Sequence, residues 1–550
     1  MKKNSSSIPH LLLLALFAYL LFFFQLGGIG LVGPDEPRYA QIAREMLESG
    51  DFITPRLLGT PWFEKPVLFY WFTALFFHLF GIQEFAARLI SAIAGSLGLY
   101  FTYRLGAHFL SPRGGLLASL ILACSPLYFS LAHAASMDML LSATLTGAYT
   151  FLYFWLFQDP VSPAGPSQKT PWLLVGFYWM LGLSVLAKGP VGIVLVGGTL
   201  AIFLLVTQKW RLLSSLHLPL GLLVVLGVTV PWYYLCYLAN GYLFIQEFII
   251  RHNIERFITD RYQHLQPFWF FLAVILAGFF PWSLHLASSF RRCLARSLRG
   301  TLKGEGEKDF FLWLWILIPF LFFSFSRSKL PGYILPISPA LALLVASKFE
   351  HVIPRSTAPE TKGFFRSAYL QAVIMIILGI ALPLAIPHLN LDLRPDIPIL
   401  VPVLLLMGTA GFLSARKRKP MGLLRAFLAG ILLIVLFLTG RALPRLDRSE
   451  SQRQLAGLLR QQGLEQYPIY LWNISRRVEY GLDFYLNAKT RLVYSLKDVE
   501  KAKERKVLLI LPSQKAEIPH LFRFREETRF AFQDKVIITM AAGAAEPNPG

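Results

Sequence analysis

Charge is scarce in this chain: only 15% of its 550 residues are charged, against 55% hydrophobic. That excludes an ordinary soluble domain, and the mean hydropathy of +0.52 points to a polytopic membrane protein. Acidic residues are scarcer still, 32 against 53 basic ones, for a formal charge of +21. A nucleic-acid partner is nevertheless excluded, because the Lys and Arg fall in short loops between apolar runs, where they set orientation. Cysteine is nearly absent. Cys124 and Cys236 lie in apolar runs and Cys293 in a basic loop, which leaves neither a disulfide framework nor a metal cluster. No small-residue cleavage site follows the first apolar run, which starts near Ile8 after Lys2 and Lys3. A retained helix is therefore expected rather than a removed signal peptide.

What is present is a succession of apolar runs. A span needs roughly 20 apolar residues. Runs near 8–30, 86–110, 114–132, 137–157, 172–187, 190–207, 214–238, 267–289, 309–325, 332–347, 367–387, 397–414 and 421–440 give about thirteen transmembrane helices. The run Val67 to Phe80 is too short to cross and is aromatic, so it reads as a helix that lies in the interface or re-enters. Pro-Gly punctuation in Ala187-Lys188-Gly189-Pro190 divides one long apolar stretch in two.

With the N-terminus in the cytoplasm, alternate loops carry the basic residues: Arg104 and Arg113, Lys169, Lys209 and Arg211, Arg291 to Lys303, Lys348 to Arg366, and Arg416 to Lys419. That alternation puts the C-terminal tail on the outer side. The expected organisation is a transmembrane part over 1–440, whose first periplasmic loop at 31–85 holds interfacial helices, and a small periplasmic α/β domain over 441–550. In the tail a helical pattern from Gln452 to Gln462 precedes apolar runs at Pro468 to Trp472 and Val507 to Leu511, while Ala541 to Gly550 read as disordered.

Four cations work against the usual bias, because Lys65, Lys188, Arg327 and Lys329 sit at membrane ends on the outer face. Each alone reads as a snorkelling side chain or a local ion pair. As a set drawn from separate loops they suit a phosphate, which Lys and Arg bind strongly at low dielectric. Carboxylates fall on the same face. Asp35 precedes a helix with apolar face Tyr39, Ile42, Ala43, Met46 and Leu47, and as an N-cap it would satisfy backbone donors, with Pro37 in the first turn. Glu64-Lys65 alone reads as a local ion pair, and Asp138 as a helix-start residue. Mixed acid and base at one interface is what transfer from a phosphate leaving group uses. His252, in Arg251-His252-Asn253-Ile254-Glu255-Arg256, reads as a structural histidine in preference to a metal ligand, since no second His stands at helical spacing. Tyr333 at the start of a span has the position of an interfacial belt residue.

Taken together, these segments resemble a family. Gly33-Pro34-Asp35-Glu36-Pro37-Arg38-Tyr39-Ala40, Trp62-Phe63-Glu64-Lys65-Pro66 and Leu68-Phe69-Tyr70-Trp71 look like the first outer loop of bacterial polyprenyl-phosphate-dependent glycosyltransferases of the GT-C fold. These are relatives of the protein O-mannosyltransferases, and the type most similar is the lipid A aminoarabinose transferases. The Asp138 segment, Ala187-Lys188-Gly189-Pro190, Arg251-His252-Asn253 and Lys329 to Pro336 extend the likeness over most of the chain.

The resemblance implies a donor, undecaprenyl phosphate carrying 4-amino-4-deoxy-L-arabinose, and an acceptor, a phosphate of lipid A on the periplasmic leaflet of the inner membrane. It implies transfer with inversion and no nucleotide at this step. Asp35, Asp138 and Glu36 match catalytic positions, and Arg38, Tyr39 and Tyr70 match substrate-binding ones. Lys65, Lys188, Arg256, Lys329 and Tyr333 match positions near the donor phosphate. Glu64 and His252 match positions that hold a divalent metal, zinc or magnesium or manganese. Two rival readings stay open: the same fold acting on a protein or polysaccharide acceptor, and a lipid-linked sugar flippase. Against the flippase, the charges cluster at one outer face and no internal repeat is visible.

Overall fold

The computed structural model describes residues 7–157, 171–255, 265–291, 304–385, 396–495, 499, 506–510, 526–532 and 535–540. Arg256, Lys169, Cys293, the basic residues 292–303 and the tail 541–550 lie outside the described residues. The chain forms two compact units. The first comprises Met1–Leu26, Phe63–Phe72 and Arg88–Thr439; the second comprises Gly27–Trp62, Thr73–Ala87 and Gly440–Gly550.

The first unit is helical, as unbroken apolar runs require where the backbone must satisfy its own hydrogen bonds. Among the described residues nine helices are long and apolar enough to cross a membrane, or up to eleven if each of two bent pairs is one span. One bent pair is Pro112–Ala123 with Pro126–Ala132, which meet at 71°, so the expected run at 114–132 is broken at its Ser-Pro step. The other is Phe270–Gly278 with Trp282–Arg291, which turn through 111°. Ser7–Phe23 and Val191–Thr207 are shorter apolar helices, as is Leu68–Phe80. The last has 13 residues, or about 20 Å at 1.5 Å per residue, too short to cross. The first helix stops well short of residue 30, and Gln25 just beyond it takes a left-handed φ of 55°.

Two local arrangements in this unit fix Lys188 and Tyr333. Gly189, at φ 92°, ends Pro171–Lys188 and lets Pro190 start Val191–Thr207, which leaves Lys188 on the final turn of its helix. A cation is favoured there by the helix dipole. Trp315 is fully buried, stacks on Tyr149 with centroids 4.3 Å apart, and donates from Nε1 to the Pro336 carbonyl at 3.0 Å. That bond ties the helix Glu305–Phe325 to the tight turn Pro331–Ile337, which carries Tyr333. Elsewhere in the unit, Arg88 is 1% exposed and donates to the Leu26 carbonyl at 3.0 Å, so its buried charge has a partner.

The second unit pairs the first loop with the chain's end. A five-stranded sheet has the order Arg491–Val493, Ile469–Trp472, Lys506–Ile510, Lys535–Met540, Glu526–Phe532. Its first two pairings are parallel and its last two antiparallel. The helices Arg453–Gln461 and Arg476–Leu486 pack against it through Leu455, Leu459, Val478 and Leu482. The helix Asp35–Ser49 buries Ala40 and Ala43 against Phe484. It stops at Gly50, whose φ of 70° lets its N–H reach the Met46 carbonyl at 3.0 Å. Asp447, 1% exposed, ties the unit's two parts together. It accepts from Gly30 N at 2.6 Å, Ser451 Oγ at 2.6 Å and Arg453 Nη2 at 2.5 Å. The Tyr485 hydroxyl accepts from Leu31 N at 2.7 Å and donates to Glu84 at 3.0 Å.

Candidate active site

In the first unit a cavity of about 650 Å³, counting the space open at its mouth, is lined by Glu64, Lys65, Lys188, His252 and Tyr333. Phe322, Phe323, Leu141 and Val191 form its apolar wall, with Ser326 and Ser328 beside them. Five of the residues singled out from the sequence thus share one space, drawn from four separate segments. Lys65 pairs with Glu64 at 3.3 Å, and both side chains are largely buried. The Lys188 ammonium pairs with Asp138 and lies 4.2 Å from the centroid of the Tyr333 ring.

Asp138 is free for that pairing because another residue caps its helix. Met137–Leu156 is capped by Ser136, whose hydroxyl accepts from Asp138 N at 3.2 Å. The carboxylate, in the first turn, points instead at Lys188. Gly332 closes the back of the pair: a Cβ built there would collide with the Asp138 carboxylate. Gly332 therefore answers to Asp138, a constraint its own neighbourhood in the sequence does not reveal.

The other residues singled out lie elsewhere. Tyr70 is fully buried in the first unit and does not line the cavity. Lys329 is 7% exposed and donates to the Gln266 carbonyl at 2.9 Å. Burial, and then the charge of Arg327, pull its ammonium pKa below the usual value. Ser328, in the cavity wall, has a buried hydroxyl with no hydrogen-bond partner among the described residues, and its backbone bridges to Leu265. Neither Ser326 nor Ser328 carries a signal of its own in the sequence, and only their closeness to Lys329 hints at them.

In the second unit the acidic loop corrects the capping expectation. Asp35 is not the N-cap; Pro34 holds that position and Asp35 is the first helical residue. Glu36 reaches back instead and accepts from Val32 N at 2.8 Å, with 5% of its surface exposed. The Asp35 carboxylate, 52% exposed, accepts from Arg38 at 2.6 Å. The Arg38 guanidinium is enclosed by three rings, Tyr39 at 5.4 Å, Trp62 at 5.6 Å and Tyr480 at 5.6 Å to the centroids. Tyr480 has no mark in the sequence.

Comparison with known proteins agrees with this architecture. Residues 64–235 match the family described as dolichyl-phosphate-mannose-protein mannosyltransferase. The chain is similar over 98% of its length to the crystal structure of ArnT from Cupriavidus metallidurans bound to undecaprenyl phosphate, covering 99% of that chain with a TM-score of 0.78 and 25% identity. It shares the fold alone with the Archaeoglobus fulgidus oligosaccharyltransferase, at a TM-score of 0.52 and 13% identity over 93% of this chain and 70% of that one. These likenesses define a polytopic membrane protein of the GT-C glycosyltransferase fold.

Among curated relatives, the undecaprenyl phosphate-alpha-4-amino-4-deoxy-L-arabinose arabinosyl transferase of Pectobacterium carotovorum is 30% identical over 81% of this chain and 77% of its own. The chain belongs to that family of arabinosyl transferases. The proteins of the same description from Edwardsiella ictaluri and Serratia proteamaculans are 33% and 32% identical over 60% and 68% of this chain. The matched stretches span 58% and 64% of those two relatives' lengths.

Proposed function

We propose that this protein transfers 4-amino-4-deoxy-L-arabinose from undecaprenyl phosphate to a phosphate of lipid A, at the periplasmic face of the bacterial inner membrane. The single observation that carries the reading is the convergence of Lys65, Lys188 and Tyr333 on one cavity whose other wall is apolar. Such a space suits a lipid-borne phosphate: cations for the headgroup and Phe322 and Phe323 for the first isoprenes. The donor for which the family's members are named is of that kind.

In the proposed step the bond from the anomeric carbon to the donor phosphate oxygen breaks, and its electron pair leaves with undecaprenyl phosphate. An acceptor phosphate oxygen attacks from the opposite face, so configuration inverts. Lys65 and Lys188 neutralise the departing phosphate, the electrostatic term usually largest in such sites. Asp138 positions Lys188. A phosphate acceptor is already ionised near neutral pH, so a strong base is unnecessary. Asp35 is then assigned to orient the acceptor, to hold the sugar's ammonium or to steady positive charge on the ring.

Glu64 and His252 are the proposed holders of a divalent cation. A carboxylate and an imidazole suit zinc, magnesium or manganese, but among the described residues no group of three His, Cys, Asp or Glu is present. The remaining ligands would come from phosphate oxygens or water. Such an ion would add charge neutralisation at the phosphate, and loss of activity with a chelator, restored by one metal, tests it. For topology we propose thirteen spans, which two bent pairs and the two shorter helices Ser7–Phe23 and Val191–Thr207 complete, with the N-terminus cytoplasmic and residues 441–550 forming a periplasmic α/β domain. The alternation of basic loops supports this orientation.

Mass spectrometry of lipid A from cells with and without the protein tests the function. A gain of one aminopentose on a phosphate is expected. Unchanged lipid A, with sugar appearing on protein or polysaccharide, would overturn the acceptor assignment. Product formed in detergent, without a sealed bilayer, would exclude transport as the activity.

A further inference from the structure

We propose that Tyr480, on the C-terminal helix Arg476–Leu486, is a positioning residue for the reaction, acting through Arg38 on the Asp35 carboxylate. The inference rests on the proposed part of Asp35 in sugar transfer, and it gives the C-terminal segment a part in that chemistry.

An exposed ion pair by itself contributes little, because two long side chains lose rotamer freedom to hold one geometry. Asp35 is 52% exposed, yet its partner Arg38 is only 12% exposed. Arg38 is therefore ordered before Asp35 is counted. Three rings surround its guanidinium, each with its centroid within 5.6 Å. A planar guanidinium stacks on aromatic faces and still offers a fork of donors at its edge. Here the rings crowd the guanidinium, which still presents Nη2 to Asp35 at 2.6 Å.

Two of the rings, Tyr39 and Trp62, are local to the first loop. Tyr480 arrives from the far end of the chain, and its helix grips the acidic helix at two further points. Arg44 donates to the Phe484 carbonyl at 2.7 Å and lies 4.5 Å from the Phe484 ring centroid. Gln41 meets Asn487 at 3.3 Å. Tyr480, Phe484 and Asn487 follow a spacing of four and three, so they share one helical face. Opposite them Arg38, Gln41 and Arg44 recur every three residues. The contact nearest Asp35 is the one made by Tyr480, which makes it the contact through which helix register reaches the carboxylate.

The test uses the full-length protein in detergent with the polyprenyl-linked donor and lipid A, and compares Tyr480→Phe, Tyr480→Trp and Tyr480→Leu. Tyr480→Leu is expected to lower kcat about tenfold while KM for the donor moves less than twofold. Tyr480→Phe and Tyr480→Trp, which keep a ring face, should stay within about threefold of the parent. A purely structural role would lower the folded fraction and leave kcat per folded molecule unchanged, and that result overturns the proposal. Equal damage from all three variants overturns it too. Asp35→Asn provides the second measurement. If Tyr480 works through Asp35, adding Tyr480→Leu to Asp35→Asn costs no further rate; a full additional tenfold loss would place Tyr480 elsewhere. Undiminished transfer by Asp35→Asn alone refutes the underlying role of Asp35, an outcome distinct from either of these.

Discussion

The Lys188 ammonium lies over the face of Tyr333, 4.2 Å from the ring centroid, while pairing with Asp138. One cation thus has a carboxylate on one side and a ring quadrupole on another, and both hold it at the cavity wall. A cation fixed in this way needs little reorganisation when phosphate charge develops, which is the condition under which electrostatic stabilisation is largest.

Replacing Lys188 with Met should therefore reduce kcat by about 10²–10³, the range for removal of one preorganised charge donor. Tyr333→Phe keeps the ring and should change kcat by less than about fivefold. Tyr333→Leu removes the face and should lose roughly tenfold, in keeping with a cation–π contact of about 1–2 kcal/mol. Steady-state turnover of the purified protein checks the order Tyr, Phe, Leu.

Gly332→Ala tests the packing behind Asp138. The added methyl would meet the carboxylate and displace it from Lys188. Overpacking of this kind typically costs about 1–3 kcal/mol. We expect at least a tenfold loss of transfer with a small fall in Tm, whereas parent-like turnover would show that Asp138 shifts without consequence.

Asp447 offers a prediction about stability alone. It is buried and satisfies Gly30 N, Ser451 and Arg453 together. Asp447→Ala leaves the Gly30 N–H and the Ser451 hydroxyl without their buried acceptor, which costs about 1–3 kcal/mol for each, while Arg453, 38% exposed, keeps Glu84 at 3.4 Å. Hydrogen exchange on the full chain should report faster opening of residues 27–62 and 440–495, with the apolar helices of the first unit unchanged.

Asp483 makes the second unit sensitive to pH. Its Oδ1 accepts from Thr490 N at 2.7 Å and Thr490 Oγ1 at 2.8 Å, while Oδ2 is buried with no hydrogen-bond partner among the described residues. Burial pushes its pKa up to about 7, against the opposing pull of the Thr490 bonds. The raised value means that the folded state binds a proton the unfolded chain has already lost. Stability from this group is fully present below the unfolded pKa of about 4 and is lost as pH rises to 7, by up to about 4 kcal/mol. Protection of the helix Arg476–Leu486 should therefore be greater at pH 5 than at pH 7.5, and Asp483→Asn should flatten the difference.

What the sequence discloses and what it conceals divide along contact range. The break after Lys188 is legible because Gly189 and Pro190 act on their own backbone. The helix Arg453–Gln461 falls on its helical period, and the strands Ile469–Trp472 and Lys506–Ile510, buried at every position, fall on short apolar runs, since both are local signals. Capping is harder to assign between neighbours: Asp35 has the preferred residue type, but Pro34 occupies the cap and Glu36 makes the bond to Val32 N. The hairpin of Arg56–Leu57 with Thr60–Pro61 escapes a sequence reading because two-residue strands carry no period, although Gly59 marks its turn with a φ of 78°. Tyr480 and Phe484 are invisible as partners of Arg38 and Arg44. Nothing within a helical turn of either end encodes a pairing hundreds of residues away.

The pairing of Arg44 with Phe484, 440 residues apart, also sets a timetable. At about 5–20 residues per second, the ribosome needs roughly 20–90 s between making one partner and the other. Throughout that interval the nascent acidic helix lacks its C-terminal clasp, even as successive apolar segments enter the bilayer. A prematurely terminated product would thus be threaded through the membrane yet unfinished at its acidic loop. Translation must pass residue 487 before Arg44 and Gln41 can meet their partners in that segment.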